Sequence, residues 1–300
     1  MYKKKSRPSW TLDSPDLSDP FLDFILSRQA MNCARSTIEF YRYTAGVFLA
    51  WCERQEITSI DQIKSRHVRQ YIAEMTSGGK KDNTCHDHAR AIRTLLHFCL
   101  NEQYISESVQ FEMPKVAKER LPVLTVEQLQ IILKACNVRD KAIILLMVDS
   151  GLRRSETIKL QWGDVDIASG LMRVKQGKGK KDRSGVIGAV TRRALLKYRR
   201  TLDGSSDDRP VFQTQEGNQF TGDGFIQIFH RLVKRTGIYF SPHALRRTFA
   251  ILSMRAGMGA LHLQNMGGWS SLDMVNRYAQ MIDDDLLDAH RLHSPIDNLK

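Results

Sequence analysis

Apolar residues in the first hundred positions recur at helical spacing. Phe21, Phe24 and Ile25 follow Asp19 and Pro20, a pair suited to the N-cap and first position of a helix. Ile38, Tyr41, Ala45, Phe48 and Cys52 form a second stripe, with Ser36 as its cap. Ile63, Tyr71, Ile72 and Met75 mark a third, capped by Ser59, and a fourth runs from about Asn83 to Leu100 through Ile92, Leu95, Leu96 and Cys99. These spacings predict a bundle of at least four helices over residues 16–106. The period is then lost over 107–121, where Pro114, Lys115, Lys118 and Arg120, with Pro122 just beyond, mark a basic linker.

A second domain, 122–300, mixes the two periods. Thr125 and Gln128 have capping-box spacing ahead of helices at 126–136 and 139–149. Leu171–Lys175 and Ser184–Ala189 read as short strands joined by the basic loop Gly177-Lys178-Gly179-Lys180-Lys181. Further helices are predicted at 190–201, 222–236, 242–256, 259–266 and 272–280, with an amphipathic segment at 283–292. The fold class is mainly α with a small β-sheet: a helical N-terminal domain, then an α+β domain. No internal repeat is present.

Composition narrows the partners. Forty-five Lys and Arg against 33 Asp and Glu give the 300-residue chain a net charge of +12. Eleven basic residues and one acid, Asp182, fall between Leu171 and Arg200, whereas 283–288 is acidic. Such a local cationic field suits phosphates, although a basic protein without a nucleic-acid partner has the same totals. Five widely spaced cysteines with no C-x-x-C argue for a reducing compartment. The opening Met-Tyr-Lys-Lys-Lys is followed by no apolar stretch, and the longest apolar run, Ala142 to Val148, is too short to span a bilayer. A cytoplasmic protein with no membrane partner is expected.

Four short constellations can carry chemistry. In Ser150-Gly151-Leu152-Arg153-Arg154-Ser155-Glu156, Gly151 ends one helix and Arg153 sits near the start of the next, with Glu156 three residues on to hold it. Lys178, between two glycines on a hairpin tip, can reach a leaving oxygen and donate a proton. Ser241-Pro242-His243-Ala244-Leu245-Arg246 sets His243 and Arg246 near a helix N-terminus, where anions are favoured. Gly267-Gly268-Trp269-Ser270-Ser271 puts an indole N–H on a tight turn, with Tyr278 on the helix that follows. Taken singly, each also fits a structural role: a solvated arginine, a charged hairpin, a capping histidine, a core tryptophan and tyrosine. A Walker A loop is excluded, because Gly179 follows Lys178 where Ser or Thr is needed. Cys85, His86, His88, His97 and Cys99 do not share one helix face, and no H-E-x-x-H motif is present, so a metal site is not expected.

In order and spacing these four constellations resemble the tyrosine recombinase, or phage integrase, family. They resemble its Gly-Leu-Arg-x-Ser-Glu box, its Gly-Lys-Gly hairpin, its His-x-x-Arg signature and its Gly-His/Trp-Ser-Ser turn, with the nucleophilic tyrosine nine residues after the aromatic position. Thr37, Tyr41, Phe48 and Trp51 make the N-terminal half similar to the family's core-binding (SAM-like) domain. The resemblance implies a site-specific recombinase for DNA integration, excision or recombination. Tyr278 would form a 3′-phosphotyrosine, Arg153 and Arg246 would clamp the phosphate, and His243 and Trp269 would hydrogen-bond it. Lys178 would protonate the 5′-oxygen and Glu156 would orient Arg153.

The covalent link conserves the phosphodiester energy, so no cofactor, ATP or metal is called for. The partners implied are double-stranded DNA and further copies of the chain in a DNA-bound tetramer, with the C-terminal tail docked in trans; its Leu286, Leu287 and Leu292, on a roughly helical spacing, equally suit a helix packed on its own domain. Arg66, Arg69, Arg90, Arg93, Lys175, Lys180 and Lys181 are candidate phosphate contacts, each equally readable as a solvated charge. The chain departs from the family pattern in carrying Trp269 where His is usual, Gly267 where Leu is usual, and Gly188-Ala189 at a strand end. Two other activities fit the same residues: strand swivelling of the type IB topoisomerase kind, and DNA binding without catalysis.

Overall fold

A computed structural model of the chain describes residues 11–117, 123–175, 182–204 and 206–279, with 277–279 described by backbone alone. The chain divides into two compact units, residues 1–119 and 120–300.

The first unit is helical: α1 (Pro15–Ala30), α2 (Arg35–Arg54), α3 (Ser65–Ser77) and α4 (Asp82–Asn101). Their buried stripes meet around Phe24, Phe48, Trp51, Tyr71, Ile92 and Leu95. Each such side chain contributes roughly 1.5–3 kcal/mol of hydrophobic free energy. Two polar groups inside are paired, as burial requires. The Trp51 indole N–H donates to Glu74 at 2.7 Å, and Tyr71 Oη lies 2.8 Å from Nδ1 of His88. His88, one of the residues a zinc site would need, is thus a core residue. Among the described residues no group of three metal-ligating side chains forms.

Three helix starts differ from the sequence expectation. α1 opens at Pro15, not Pro20, which stands inside the helix. Leu17 is fully buried, so extending the helix to seat it outweighs the hydrogen bond Pro20 cannot make. Ser36 lies within α2, whose N-cap position is Ala34. Ser59 precedes only a short 3₁₀ turn, Ile60–Gln62, and α3 begins six residues later; the imidazole Nδ1 of His67 accepts the Lys64 N–H at 3.1 Å.

The second unit begins with α5 (Val126–Ala135), whose capping box forms as its spacing predicts: the Gln128 N–H donates to Thr125 Oγ1 at 3.2 Å and the Thr125 N–H to Gln128 Oε1 at 3.0 Å. α6 (Val138–Ser150) is buried through Ile143, Ile144 and Met147 and packs on α8 (Ala189–Arg199) and α10 (Pro242–Arg255). It stops at Gly151, in the left-handed region at φ 63°, where a Cβ would lie 2.3 Å from the Phe249 ring. A short α7 (Arg154–Lys159) follows.

β1 (Leu171–Val174) and β2 (Arg183–Val186) pair antiparallel, Leu171 opposite Val186 and Val174 opposite Arg183. β2 ends earlier than its apolar run suggests, because the Gly188 N–H turns to Asp149 at 2.7 Å and Ala189 already starts α8. α9 (Gly222–Thr236) buries Phe225, Ile228, Phe229 and Leu232, an i, i+3, i+4, i+7 face, against α5. α11 (Ala260–Gly267) and α12 (Leu272–Ala279) complete the described elements. The Lys178 loop and the segment 283–292 lie outside the described residues. Among the described residues, no helix is long and apolar enough to cross a membrane.

Candidate phosphate-binding site

Two glycine carbonyls organise the site. Gly267 ends α11 and Gly268 caps it in the left-handed region, φ 64°. That conformation leaves both carbonyls free to face three guanidinium groups. Arg246, on the second turn of α10 and 5 % exposed, donates to Gly267 O at 2.6 Å and also to Gly151 O. Arg153, at the N-cap position of α7, donates to Gly268 O. Arg183, the first residue of β2, lies 3.4 Å from Gly267 O.

Glu156 is the carboxylate of this cluster among the described residues. Its Oε1 accepts from Arg153 Nη1 at 2.7 Å; its Oε2 accepts the Arg153 backbone N–H at 2.8 Å and Arg183 Nη2 at 2.9 Å. Burial raises the Glu156 pKa. The Arg153 N–H and the two guanidinium charges outweigh that and hold it below the ordinary glutamate value. Glu156 is therefore a carboxylate at neutral pH and fixes the fork of Arg153. Burial in turn draws the Arg183 pKa down, against the pull of Glu156.

His243 stands in the first turn of α10, after Ser241, whose Oγ accepts the Ala244 N–H at 3.3 Å, and after Pro242 at the first position. Desolvation, then the charges of Arg247, Arg246, Arg154 and Arg153, lower its pKa below the ordinary histidine value. Its imidazole is neutral at pH 7 and able to accept a proton. Trp269 is buried: its ring stacks on Phe249 with centroids 6.5 Å apart, and the Arg246 guanidinium lies 4.3 Å from its centroid. A Cβ on Gly267 would fall 1.9 Å from that ring, so the glycine makes room for the indole. α12 follows and holds Tyr278 in its last turn.

The structure thus brings Arg153, Glu156, Arg246 and Trp269 to one turn, with His243 one turn before Arg246 on the same helix. Lys178, Lys180 and Lys181 lie outside the described residues. The other candidate phosphate contacts divide. Arg66 and Arg69 are exposed on α3. Arg90 pairs with Asp87 at 3.0 Å and covers the Phe40 ring. Arg93 donates to Phe111 O at 2.6 Å and lies over the Phe111 ring. Lys175 pairs with Asp164 at 2.7 Å and donates to Gln161 at 2.9 Å. Arg93 and Lys175 are therefore engaged in holding their own units together. Sequence reasoning missed Arg183 and the glycine carbonyls. Arg183 is one of eleven basic residues in its stretch, and a carbonyl carries no sequence signal.

A helical unit is thus followed by a mixed unit in which the guanidiniums of Arg153, Arg183 and Arg246 converge on a single turn. Family models give the class. The Phage integrase family model matches residues 122–284, and the N-terminal SAM-like domain model of phage integrases matches residues 19–103. The chain belongs to the phage integrase family, the tyrosine recombinases. Tyrosine recombinase XerA of Saccharolobus solfataricus is 28% identical over 283 residues, covering 91% of each chain. Among solved structures, the Tn1549 transposon integrase in complex with a circular intermediate DNA superposes with a TM-score of 0.75 at 19% identity, covering 93% of this chain and 99% of that one. A lambda integrase dimer bound to a COC′ core site gives 0.71 at 17% identity, over 87% and 94%. Those two likenesses are of fold.

Proposed function

We propose that this chain is a site-specific DNA recombinase that cuts and rejoins strands through a 3′-phosphotyrosine at Tyr278. The convergence of Arg153 and Arg246 on the carbonyls of Gly268 and Gly267 carries the reading. Phenol, with a pKa of about 10, is a poor nucleophile at neutral pH. The site compensates at the phosphate: two permanently charged guanidiniums stabilise the added negative charge on the non-bridging oxygens. Tyr278 Oη bonds to phosphorus as the 5′-oxygen leaves. The tyrosine proton passes to neutral His243, and Lys178 supplies a proton to the departing oxygen. Trp269 donates through its indole N–H and cannot exchange a proton, so no acid–base step belongs to it. Reversal by a 5′-hydroxyl of another strand rejoins the DNA, with no ATP or metal required.

The enzyme acts in the cytoplasm, on the nucleoid, as a tetramer on double-stranded DNA, and integration or excision of a mobile element and resolution of DNA dimers are the uses such chemistry serves. Its tail docks in trans on a neighbouring catalytic unit. An apolar cavity of about 730 Å³ lined by Leu145, Val148, Val190, Phe249 and Leu252 offers such a tail a seat. An adjoining groove adds Lys134, Lys141, Arg193 and Lys197. Apolar floor and basic rim complement a tail that combines Leu286 and Leu287 with Asp283, Asp284, Asp285 and Asp288.

The test is a detergent-stopped reaction on plasmid DNA carrying sequences that flank the gene, then on random-sequence duplexes. Wild type is expected to become covalently attached to DNA, and Tyr278→Phe to bind DNA without attachment. An equal adduct yield from Tyr278→Phe would move the nucleophile elsewhere. Binding by wild type with no adduct on any DNA would leave a protein that only binds.

A further inference from the structure

We propose that Arg183 is a positioning residue of strand cleavage: it locks Glu156, and through it Arg153, against the Gly267–Gly268 turn. The inference rests on the function proposed above. Arg183 has three relevant contacts. Its Nη2 donates to Glu156 Oε2 at 2.9 Å, the same carboxylate that holds Arg153 by Nη1 and by the backbone N–H. The same nitrogen lies 3.4 Å from Gly267 O, the carbonyl that accepts Arg246 at 2.6 Å. Its stem passes directly over Gly268, where a Cβ would lie 2.4 Å from Nε and 2.8 Å from Cδ. One side chain therefore touches the partner of Arg153, the partner of Arg246 and the turn that joins them.

The chemistry of the residue argues against a role in folding alone. The side chain is 10 % exposed, and its Nε and Nη1 are buried with no hydrogen-bond partner among the described residues. A buried ion pair with unmet donors is a poor source of stability, and an apolar side chain of the same length serves packing equally well or better. What an apolar side chain cannot do is hold Glu156 in the rotamer that aims Arg153. Arg153 holds the carboxylate from one side only, through its backbone N–H and Nη1. Bonded also by Arg183, it is fixed from two directions. Arg183 begins β2, five residues after Lys178, so the strand leaving the lysine loop is anchored at the same carboxylate.

The experiment compares Arg183→Met and Arg183→Lys with wild type, in the full chain and on a DNA that wild type attacks. Three readouts are taken: thermal unfolding, non-covalent DNA affinity, and the single-turnover rate of adduct formation at saturating protein. Arg183→Met is expected to unfold near the wild-type temperature and to bind DNA within a few-fold. Its adduct formation should slow by about 10²-fold, the usual consequence of a clamp misplaced by an ångström. Arg183→Lys, which keeps the charge and loses the fork, should recover part of that rate. Glu156→Gln should slow the reaction as well, and adding Arg183→Met to it should cost little more, because both act through one pair.

An adduct rate for Arg183→Met within two-fold of wild type overturns the proposal, and so does full additivity with Glu156→Gln. If Arg183→Met does not fold, Arg183→Lys decides: wild-type cleavage by a folded Arg183→Lys overturns it, and a slowed rate with intact binding supports it. Absence of adduct from wild type on every DNA tested instead overturns the proposed function, and this inference with it.

Discussion

Gly267→Ala adds one methyl group at the most crowded point of the site. The new Cβ would stand 1.9 Å from Cζ3, 2.2 Å from Cε3 and 2.5 Å from Cη2 of Trp269, where ordinary contact begins near 3.4 Å. The ring or the backbone must therefore move by about 1.5 Å. The ring has little freedom: it is 5 % exposed, stacked on Phe249 and covered by the Arg246 guanidinium. Overpacking of this kind costs about 1–3 kcal/mol of stability. If the backbone moves instead, the Gly267 carbonyl shifts away from Arg246, and a clamp misplaced by an ångström slows chemistry by about 10²-fold.

Urea unfolding and single-turnover adduct formation measure the two effects separately. Trp269→His is the control background. It removes the six-membered ring that the methyl meets, together with a cation–π contact worth about 0.5–2 kcal/mol. In that background Gly267→Ala should cost under about 0.5 kcal/mol, so the double-mutant cycle should give a coupling of about 1–3 kcal/mol. Equal costs in both backgrounds, or a loss below about 0.5 kcal/mol in the wild-type background, would refute the steric argument.

Other consequences concern pH and salt. Because the His243 pKa is lowered, adduct formation at subsaturating DNA should stay level from pH 8 to about 6.5 and fall only below that. His243→Gln should be slow and lack the acidic limb; a wild-type half-fall above pH 6.5 would contradict the proton-acceptor role. His88, buried against Tyr71, also has a lowered pKa, chiefly through desolvation. The unfolded chain therefore binds that proton more readily. Its stabilising effect is full above about pH 6.5 and is lost as pH falls from there through the folded-state value. Denaturation of wild type and His88→Gln at pH 7.5 and 5.5 should show the larger acid loss in wild type, and equal losses would exclude it. DNA affinity should fall by about 10³–10⁵ between 50 and 200 mM salt if six to ten phosphates are contacted. Arg66→Ala or Arg69→Ala should each lower the slope of log affinity against log salt by about one, whereas Arg93→Ala should leave it unchanged and destabilise the N-terminal unit.

What the sequence made legible was local. The Thr125–Gln128 box and the Arg153–Glu156 pair each lie within one turn, so spacing alone specifies the contact. The α9 stripe repeats over two turns and marks its own buried face. The starts of α1 and α3 were hidden because tertiary burial decides them: Leu17 draws α1 forward through Pro20, and Ile60 and Ile63 occupy the core from a 3₁₀ turn and its exit. Arg183 was hidden for a related reason. Its partners are 27 and 84 residues away in sequence, and nothing in a run of basic residues marks the one that turns inward. The two departures at 267 and 269 read as separate oddities in sequence. In three dimensions they are one, since the larger ring at 269 occupies the place of a side chain at 267.

The choice of partners for the arginines has an electrostatic logic. Buried guanidiniums need acceptors, and carboxylates are the strongest available. Each carboxylate, however, cancels a positive charge that the phosphate would otherwise meet. Among the described residues, one carboxylate, Glu156, serves two arginines, and the backbone supplies further acceptors: Gly268 O for Arg153, and Gly151 O and Gly267 O for Arg246. Carbonyl dipoles orient a guanidinium without neutralising it. The described cluster keeps a net positive charge; burial first, and then the charges of Arg247, Arg246, Arg154 and Arg153, lower the His243 pKa and keep that imidazole neutral. An entering phosphate diester removes part of that field. The His243 pKa should then rise, making the imidazole a better proton acceptor only once the reacting group is in place. Nuclear magnetic resonance titration of His243, with and without a bound oxyanion such as vanadate, measures this directly. An unchanged or lowered pKa on binding would show that the arginines do not govern the histidine.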